Sequence, residues 1–137
     1  MDNGWTGKIA IVTGGGGGMG QATAKCFARA GANVFALGRT LESLKETSGF
    51  SSRIIPLVCD VACPDSVSSA LDSILVKGVP DVLIHTAGIN TADRFMAHKD
   101  PSKLASHESW KKVLDINVLG VVNMVQAVSK PMAKAGG

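Results

Sequence analysis

Short apolar runs alternate along the chain with segments in which apolar residues recur at helical spacing. The runs at residues 8–12, 33–37, 54–59 and 82–84 predict buried strands, because parallel strands that are covered on both faces read as continuous hydrophobic stretches. Strands that alternate with helices indicate parallel pairing through right-handed crossovers. We therefore expect an α/β fold with a doubly wound parallel sheet in three layers, with about four strands in the order 3-2-1-4.

The predicted helices lie between and after these strands. Residues 41–46 predict a short helix, and Pro64 occupies a first helical position ahead of one apolar stripe. Residues 89–106 are polar and irregular, which predicts a loop, and a long helix is expected from about residue 109 to 134, kinked or ended by Pro131. The first helix ends at Gly31, and its expected apolar stripe is Met19, Ala22, Thr23, Cys26, Phe27 and Ala30.

Composition narrows the class of protein. Hydrophobic residues make up 45% of the chain and charged residues 18%, which is typical of a globular domain. The net charge of +3 and the scattered Lys and Arg residues do not favour nucleic acid. No run approaches the roughly 18 apolar residues of a membrane span, and residues 1–5 lack a signal-peptide pattern. We expect a cytoplasmic protein without a nucleic-acid or membrane partner.

The cysteines indicate a reducing compartment. Cys26, Cys59 and Cys63 form an odd and sparse set, as expected of free thiols. Cys59 and Cys63 are close in sequence, but no nearby residue completes a zinc site, so no metal is expected.

A run of glycines, Gly14 to Gly18, separates the first strand from the first helix. Glycines there allow a tight turn and a close approach of backbone to a pyrophosphate, and the amides at the helix N-terminus attract the anion. A P-loop is excluded because Gly20 is followed by Gln21 instead of Lys and Ser or Thr. A flexible turn is the alternative, but the flanking strand and helix favour dinucleotide binding.

The end of the second strand bears on the choice of cofactor. NAD-binding folds carry an acidic residue there that accepts both ribose hydroxyls, whereas this chain reads Leu37-Gly38-Arg39-Thr40. A guanidinium pairs with a 2′-phosphate, so Arg39 favours NADP over NAD; the alternative is a solvated arginine. A methyltransferase that uses S-adenosylmethionine also needs an acidic residue at this point, so Arg39 argues against that class.

Several motifs together resemble the short-chain dehydrogenase/reductase family. They are Thr13-Gly14-x-x-x-Gly18-x-Gly20, Gly38-Arg39 of the NADP-preferring type, Cys59-Asp60-Val61, His85-Thr86-Ala87-Gly88, and residues 110–120 with Asp115-Ile116-Asn117-Val118. The resemblance spans Thr6 to Gly137 and implies a Rossmann-type fold. It implies the cofactor-binding residues Gly14, Gly16, Gly17, Gly18, Met19, Gly20, Arg39, Asp60, Val61, Ala87 and Gly88.

The resemblance also implies individual roles. Asp60 would bind the adenine amino group with the Val61 backbone beside it, and Asn117 would be catalytic, its carbonyl holding a water in a proton relay. Two departures stand out: His85 and Thr86 replace two asparagines that brace the fourth strand, and Gly17 replaces a basic residue. We expect His85 to be a structural side chain with its polar atoms satisfied.

The family's catalytic set is incomplete in this chain. Of its Asn, Ser, Tyr and Lys, the resemblance carries over Asn117 alone, and the chain has 0 tyrosines. We expect residues 1–137 to be a partial NAD(P)-binding domain that lacks the second half of the family fold. The parent protein would transfer hydride between NADP and a small carbonyl or alcohol substrate. The alternative is a short product that binds a nucleotide or a partner without turnover.

The chain is also expected to associate with copies of itself. Related proteins dimerise through the last helix, which implies a homo-oligomer. The fourth strand is apolar and would form an exposed sheet edge, which is an aggregation hazard. We therefore expect the isolated chain to be poorly soluble, or to associate through this edge or through the last helix.

Overall fold

The computed structural model describes residues 4–91 and 105–136. Most of the loop predicted at residues 89–106 lies outside these ranges. The described residues form a parallel sheet of 4 strands in the order β3-β2-β1-β4, which confirms the predicted architecture. The strands are β1 Ile9–Thr13, β2 Asn33–Gly38, β3 Ile54–Val58 and β4 Val82–His85. The helices between them are α1 Gly18–Arg29, α2 Leu41–Ser48 and α3 Pro64–Leu75.

Helices cover both faces of the sheet and create a core on each. Side chains alternate along a strand, so Ile9 and Ile11 of β1 join the core beneath α3, while Ala10 and Val12 join the core beneath α1 and α2. Every residue of β1 is buried. Because β1 is buried along its whole length, the start of the glycine run after Thr13 has a fixed position.

The buried face of α1 differs from the prediction. The structure buries Gly20, Ala24 and Ala28, whereas Met19 is 75% exposed. Small side chains allow the helix axis to approach the sheet closely, so they occupy the contact face although they carry a weak hydrophobic signal. Phe27 packs from the side, edge-on against Trp5 with ring centroids 4.6 Å apart.

The last helix is also different from the prediction. It consists of α4 His107–Leu114, a π-helical segment Asp115–Leu119, and α5 Gly120–Lys134. Pro131 does not end α5, because it lies in the final turn, where its missing N–H removes a single backbone bond. The irregularity lies at Asp115–Leu119 instead.

Within the described residues, the segment His107–Lys134 is long and apolar enough to cross a membrane by length and composition alone, since an 18-residue window within it has a mean hydropathy of 1.2. Polar residues interrupt its apolar residues, so the segment contains no continuous apolar run of that length. One face of the segment, with Ile116, Met124 and Val128, is buried in the core beneath α3. The segment is thus buried in the core along one face only.

The opposite face of the same helix is exposed and apolar. Its exposed large side chains are Leu114, Val118, Leu119, Val121, Val122 and Val125. Most of them lie within one stripe along the helix, since they are spaced by three and four residues. An exposed apolar stripe of this kind is typical of an interaction surface.

Candidate nucleotide-binding site

A cleft of about 510 Å³ opens at the carboxyl ends of the strands. This is where ligands bind in open α/β sheets. Six of the residues singled out from the sequence line it: Gly14, Arg39, Asp60, Val61, Ala87 and Gly88. The other lining residues were not expected to bind the cofactor; they are Leu37, Gly38, Cys59, Ile89 and Ile116. Gly38, Cys59 and Ile116 belong to the quoted motifs, and Leu37 and Ile89 lie directly beside motif residues.

The start of the glycine run is packed too tightly for side chains. Gly14 has φ +67°, and a Cβ there would lie 3.0 Å from the backbone of Thr86 and Ala87. A Cβ on Gly20 would lie 2.1 Å from the carbonyl oxygen of Gly14. These contacts let α1 begin directly against the ends of β1 and β4, which forms the floor of the cleft.

The N-terminus of α1 is open. The first bond of the helix runs from the Gln21 N–H to the Gly17 oxygen at 3.1 Å, so the amides of Gly18, Met19 and Gly20 precede the helical ladder. No side chain caps this end, and its first turn has no acidic residue. A Cβ on Gly17 or Gly18 would meet nothing within 4 Å.

Gly16, Gly17, Gly18, Met19 and Gly20 are not among the residues that line the cleft itself. Instead they form the turn at its rim, where free amides and the positive end of the helix dipole suit an anion. Open space beside uncapped amides fits the pyrophosphate of a dinucleotide.

Two threonines, Thr13 and Thr86, brace the floor of the cleft. The Thr86 hydroxyl donates to the Thr13 carbonyl at 2.6 Å, and the N–H groups of Thr86 and Ala87 donate to Thr13 Oγ1 at 3.1 Å. Thr13 is fully buried. These bonds tie the end of β4 to the end of β1 and hold the backbone of Ala87 and Gly88 at the cleft wall.

Asp60 and Val61 are held by local hydrogen bonds after β3. The Asp60 Oδ1 atom accepts from the Ala62 N–H at 3.0 Å, and the Asp60 N–H donates to Ser66 Oγ at 3.0 Å. From α5, Asn123 Nδ2 donates to the Val61 carbonyl at 2.9 Å. Side chains from α3 and α5, Ser66 and Asn123, therefore hold the turn in place. The turn places the Asp60 carboxylate at the cleft wall.

Arg39 stands at the rim of the cleft, directly after β2. Its side chain is exposed, and it makes no ion pair within residues 4–91 and 105–136. An uncommitted guanidinium at this place can pair with a phosphate.

The Asn117 side chain pairs with the backbone of Ile89. Its Oδ1 accepts from the Ile89 N–H at 2.9 Å, and its Nδ2 donates to the Ile89 carbonyl at 2.8 Å. Both polar ends of the amide are thereby engaged in holding the strand extension after Gly88. Asn117 lies within the π-helical segment, a feature that occurs frequently at functional sites.

His85 differs from the expectation of a satisfied polar side chain. Both ring nitrogens are buried and have no hydrogen-bond partner within the part of the chain that the structure describes. Burial lowers the pKa of His85. The ring therefore favours its neutral form.

The thiols and the carboxylates do not assemble into a metal site in the described residues. Cys59 is buried beside the cleft, and this burial raises the pKa of its thiol, although a hydrogen bond with the Ser66 side chain opposes the effect. Cys59 thus acts as a small apolar wall residue.

Residues 8–137 match the family model described as short chain dehydrogenase. The chain is 34% identical over 136 residues to the D-threitol dehydrogenase of Mycolicibacterium smegmatis, covering 96% of this chain and 50% of that one. It is 33% identical over 133 residues to the 3-oxoacyl-[acyl-carrier-protein] reductase FabG of Thermotoga maritima, covering 93% and 51%.

A solved structure shares the fold. The 3-ketoacyl-(acyl-carrier-protein) reductase of Brucella melitensis, complexed with NADH, superposes with a TM-score of 0.87 at 28% identity, covering 96% of this chain and 52% of that one. The chain thus spans about half the length of each of these proteins. A family match that covers nearly all of the chain, together with the sheet order and the cleft, shows that the chain belongs to the short-chain dehydrogenase family.

Proposed function

We propose that this chain is the cofactor-binding part of an NADP-dependent oxidoreductase of the short-chain dehydrogenase/reductase type. The observation that carries the proposal is the pairing of two anion-attracting groups at one cleft: the N-terminus of α1, which has no side-chain cap, and the guanidinium of Arg39, which makes no ion pair within the described residues. One dinucleotide phosphate group would lie on each. NADP carries phosphates in both positions, whereas NAD lacks the 2′-phosphate.

The other residues of the cleft would hold the rest of the dinucleotide. The amides at Gly16, Gly17, Gly18, Met19 and Gly20 would bind the pyrophosphate. Asp60 would accept a hydrogen bond from the adenine amino group, beside the Val61 backbone. Gly14, Ala87 and Gly88 would contact the cofactor through their backbone, since the close packing at Gly14 leaves no room for a side chain.

When bound, the nicotinamide supplies or accepts a hydride at a small carbonyl or alcohol substrate. In this chain, Asn117 would contribute by holding Ile89 in place with its side chain while its own backbone carbonyl holds a water. The chain contains 0 tyrosines, so it carries no phenol to exchange a proton with the substrate oxygen. We infer that residues 1–137 are one part of a larger catalytic unit.

The lack of tyrosine also favours a second candidate, a module that binds a nucleotide or a protein partner without turnover. Both candidates use the same cleft. If the first is right, a chain that supplies the family's Ser and Tyr-x-x-x-Lys should restore activity; if the second is right, it should not. In both, we expect a cytoplasmic homo-oligomer that associates through the exposed stripe of α4 and α5, with no nucleic-acid or membrane partner.

Titration of the purified chain tests the cofactor assignment. Fluorescence of Trp5 and Trp110 should change saturably on addition of NADPH, and more weakly on addition of NADH. S-adenosylmethionine should produce no saturable change, because it carries no phosphate for the α1 N-terminus. Equal affinity for NADPH and NADH would overturn the NADP assignment, and no saturable change with either at millimolar concentration would overturn the proposal as a whole.

A further inference from the structure

A buried hydrogen-bond chain connects the glycine run to α2. Thr47 of α2 is 0% exposed, and its hydroxyl lies 2.8 Å from the Gly15 carbonyl oxygen, to which it donates. Its Oγ1 also accepts a bond from Gln21 Nε2 at 3.2 Å. Gln21 belongs to the first turns of α1, so one hydroxyl joins the glycine run, α1 and α2.

The carbonyl of Gly15 is thereby committed to α2. The neighbouring Ser43 carbonyl is 3.2 Å from the same hydroxyl, but the hydroxyl has one proton and the Gly15 oxygen is the closer acceptor. The Gly15 N–H is committed as well, since it donates to the Leu37 carbonyl at 2.9 Å. Two successive peptide groups of the glycine run therefore have fixed orientations.

Packing reinforces these bonds. A Cβ on Gly15 would lie 2.8 Å from the Cβ of Ala36, and a Cβ on Gly16 would lie 2.4 Å from Ser43 Oγ. The run is pressed between β2 and α2 as far as Gly16, whereas a Cβ on Gly17 would meet nothing within 4 Å. Thr47 acts at the last fixed peptide before the open N-terminus of α1.

We propose that Thr47, supported by Gln21, is a positioning residue for pyrophosphate binding: it holds the Gly15 carbonyl toward α2, so that amides and no carbonyl face the anion. A carbonyl that turned toward the pyrophosphate would repel it and would misdirect the amides that follow. This inference rests on the proposed function, since it concerns the same cleft. It assigns Thr47 no contact with the cofactor.

Thr47→Val tests the proposal, because valine keeps the shape and removes the hydroxyl. Affinity for NADPH should fall about tenfold, which is the effect of one buried hydrogen bond. Affinity for adenosine 2′-phosphate, measured by NMR titration, should change less than about twofold, because this ligand has no pyrophosphate. The matched control Thr47→Ser retains the hydroxyl and should bind NADPH within about twofold of the unaltered chain.

The comparison of the two ligands separates positioning from general loss of structure. An unfolded or loosened variant would lose both ligands, whereas a positioning effect is confined to NADPH. If Thr47→Val does not fold, Gln21→Met removes the second bond from a partly exposed site and should weaken NADPH binding in the same direction, about threefold. An unchanged NADPH affinity in the folded variants, or equal losses for both ligands, would overturn the inference. Absence of NADPH binding by the unaltered chain would instead refute the proposed function.

Discussion

Thr13 and Thr86 exchange hydrogen bonds across the carboxyl ends of β1 and β4. The Thr86 hydroxyl donates to the Thr13 carbonyl, and the Thr86 N–H donates to the Thr13 hydroxyl oxygen. That oxygen also accepts the Ala87 N–H, so one buried hydroxyl serves two backbone amides. These bonds attach the end of β4 to the end of β1.

Replacing Thr13 by valine should therefore destabilise the fold. The change keeps the side-chain volume but leaves two partly buried amides without an acceptor, and we expect the free energy of unfolding to fall by about 2 kcal/mol. Urea denaturation followed by circular dichroism measures this change. Thr13→Ser keeps the oxygen and loses one methyl group, so it should cost about 1 kcal/mol. Equal losses in the two variants would show that the hydroxyl contributes nothing.

His85 should make stability depend on pH. Burial lowers the pKa of the folded histidine below its ordinary value of 6.5, so the unfolded state binds the proton more readily. The free energy of unfolding should therefore be fully retained above pH 6.5, fall as the pH decreases below it, and level off below the lowered pKa.

Denaturation series in buffers that span this range test the role of His85. His85→Asn should abolish this part of the pH dependence, whereas His107→Asn, which removes an exposed histidine from α4, serves as the matched control. A wild-type stability that rises as the pH falls below 6.5 would contradict the assignment.

The exposed apolar stripe on the last helix should mediate self-association. Val125→Asp places a charge at the C-terminal end of this stripe, and we expect the variant to be dissociated at concentrations at which the unaltered chain is associated. Sedimentation velocity over a range of concentrations measures this. Gln126→Asp adds the same charge about 100° around the helix and should have little effect. A chain that remains monomeric at high concentration would remove the stripe as an interface.

Arg39 should determine the preference for NADPH. Arg39→Ala removes the charged partner of the 2′-phosphate, so affinity for NADPH should fall by about 10- to 100-fold while affinity for NADH changes little. Arg39→Lys keeps the charge but lacks the planar guanidinium, so its affinity for NADPH should lie between those of the unaltered chain and Arg39→Ala. Isothermal titration with both cofactors gives the ratio of affinities. An equal effect of Arg39→Ala on NADPH and NADH would mean that the guanidinium does not bind the 2′-phosphate.

Much of the fold could be predicted from local patterns. The apolar runs located all four strands within a residue or two, and the doubly wound topology then gave their order. Pro64 marked the first turn of α3, where the structure has it. The motifs also predicted that Arg39, Asp60 and Gly88 contribute to one cofactor site, and all three line the same cleft.

What escaped prediction depends on contacts between distant residues. Thr47 looks like a helix-surface threonine in the sequence, and its burial depends on how closely α2 approaches the glycine run. The π-helical segment around Asn117 carries an apolar pattern close to that of an α-helix, so spacing alone could not reveal it. The burial of Gly20 and Ala24 on α1 likewise reflects the close approach of the helix to the sheet. Small residues permit this approach, but their weak hydrophobicity does not mark the buried face in the sequence.

In the proposed complex, the N-terminus of α1 binds the pyrophosphate of NADPH and Arg39 binds its 2′-phosphate. Amide NMR spectra of the isotopically labelled chain, recorded during titration with NADPH, test it most directly. We expect saturable shifts at Gly17, Gly18, Met19 and Gly20 and at the Arg39 side chain, with NADH reproducing the glycine shifts but not those of Arg39. Saturable shifts confined to other parts of the chain, or none at millimolar NADPH, would contradict it.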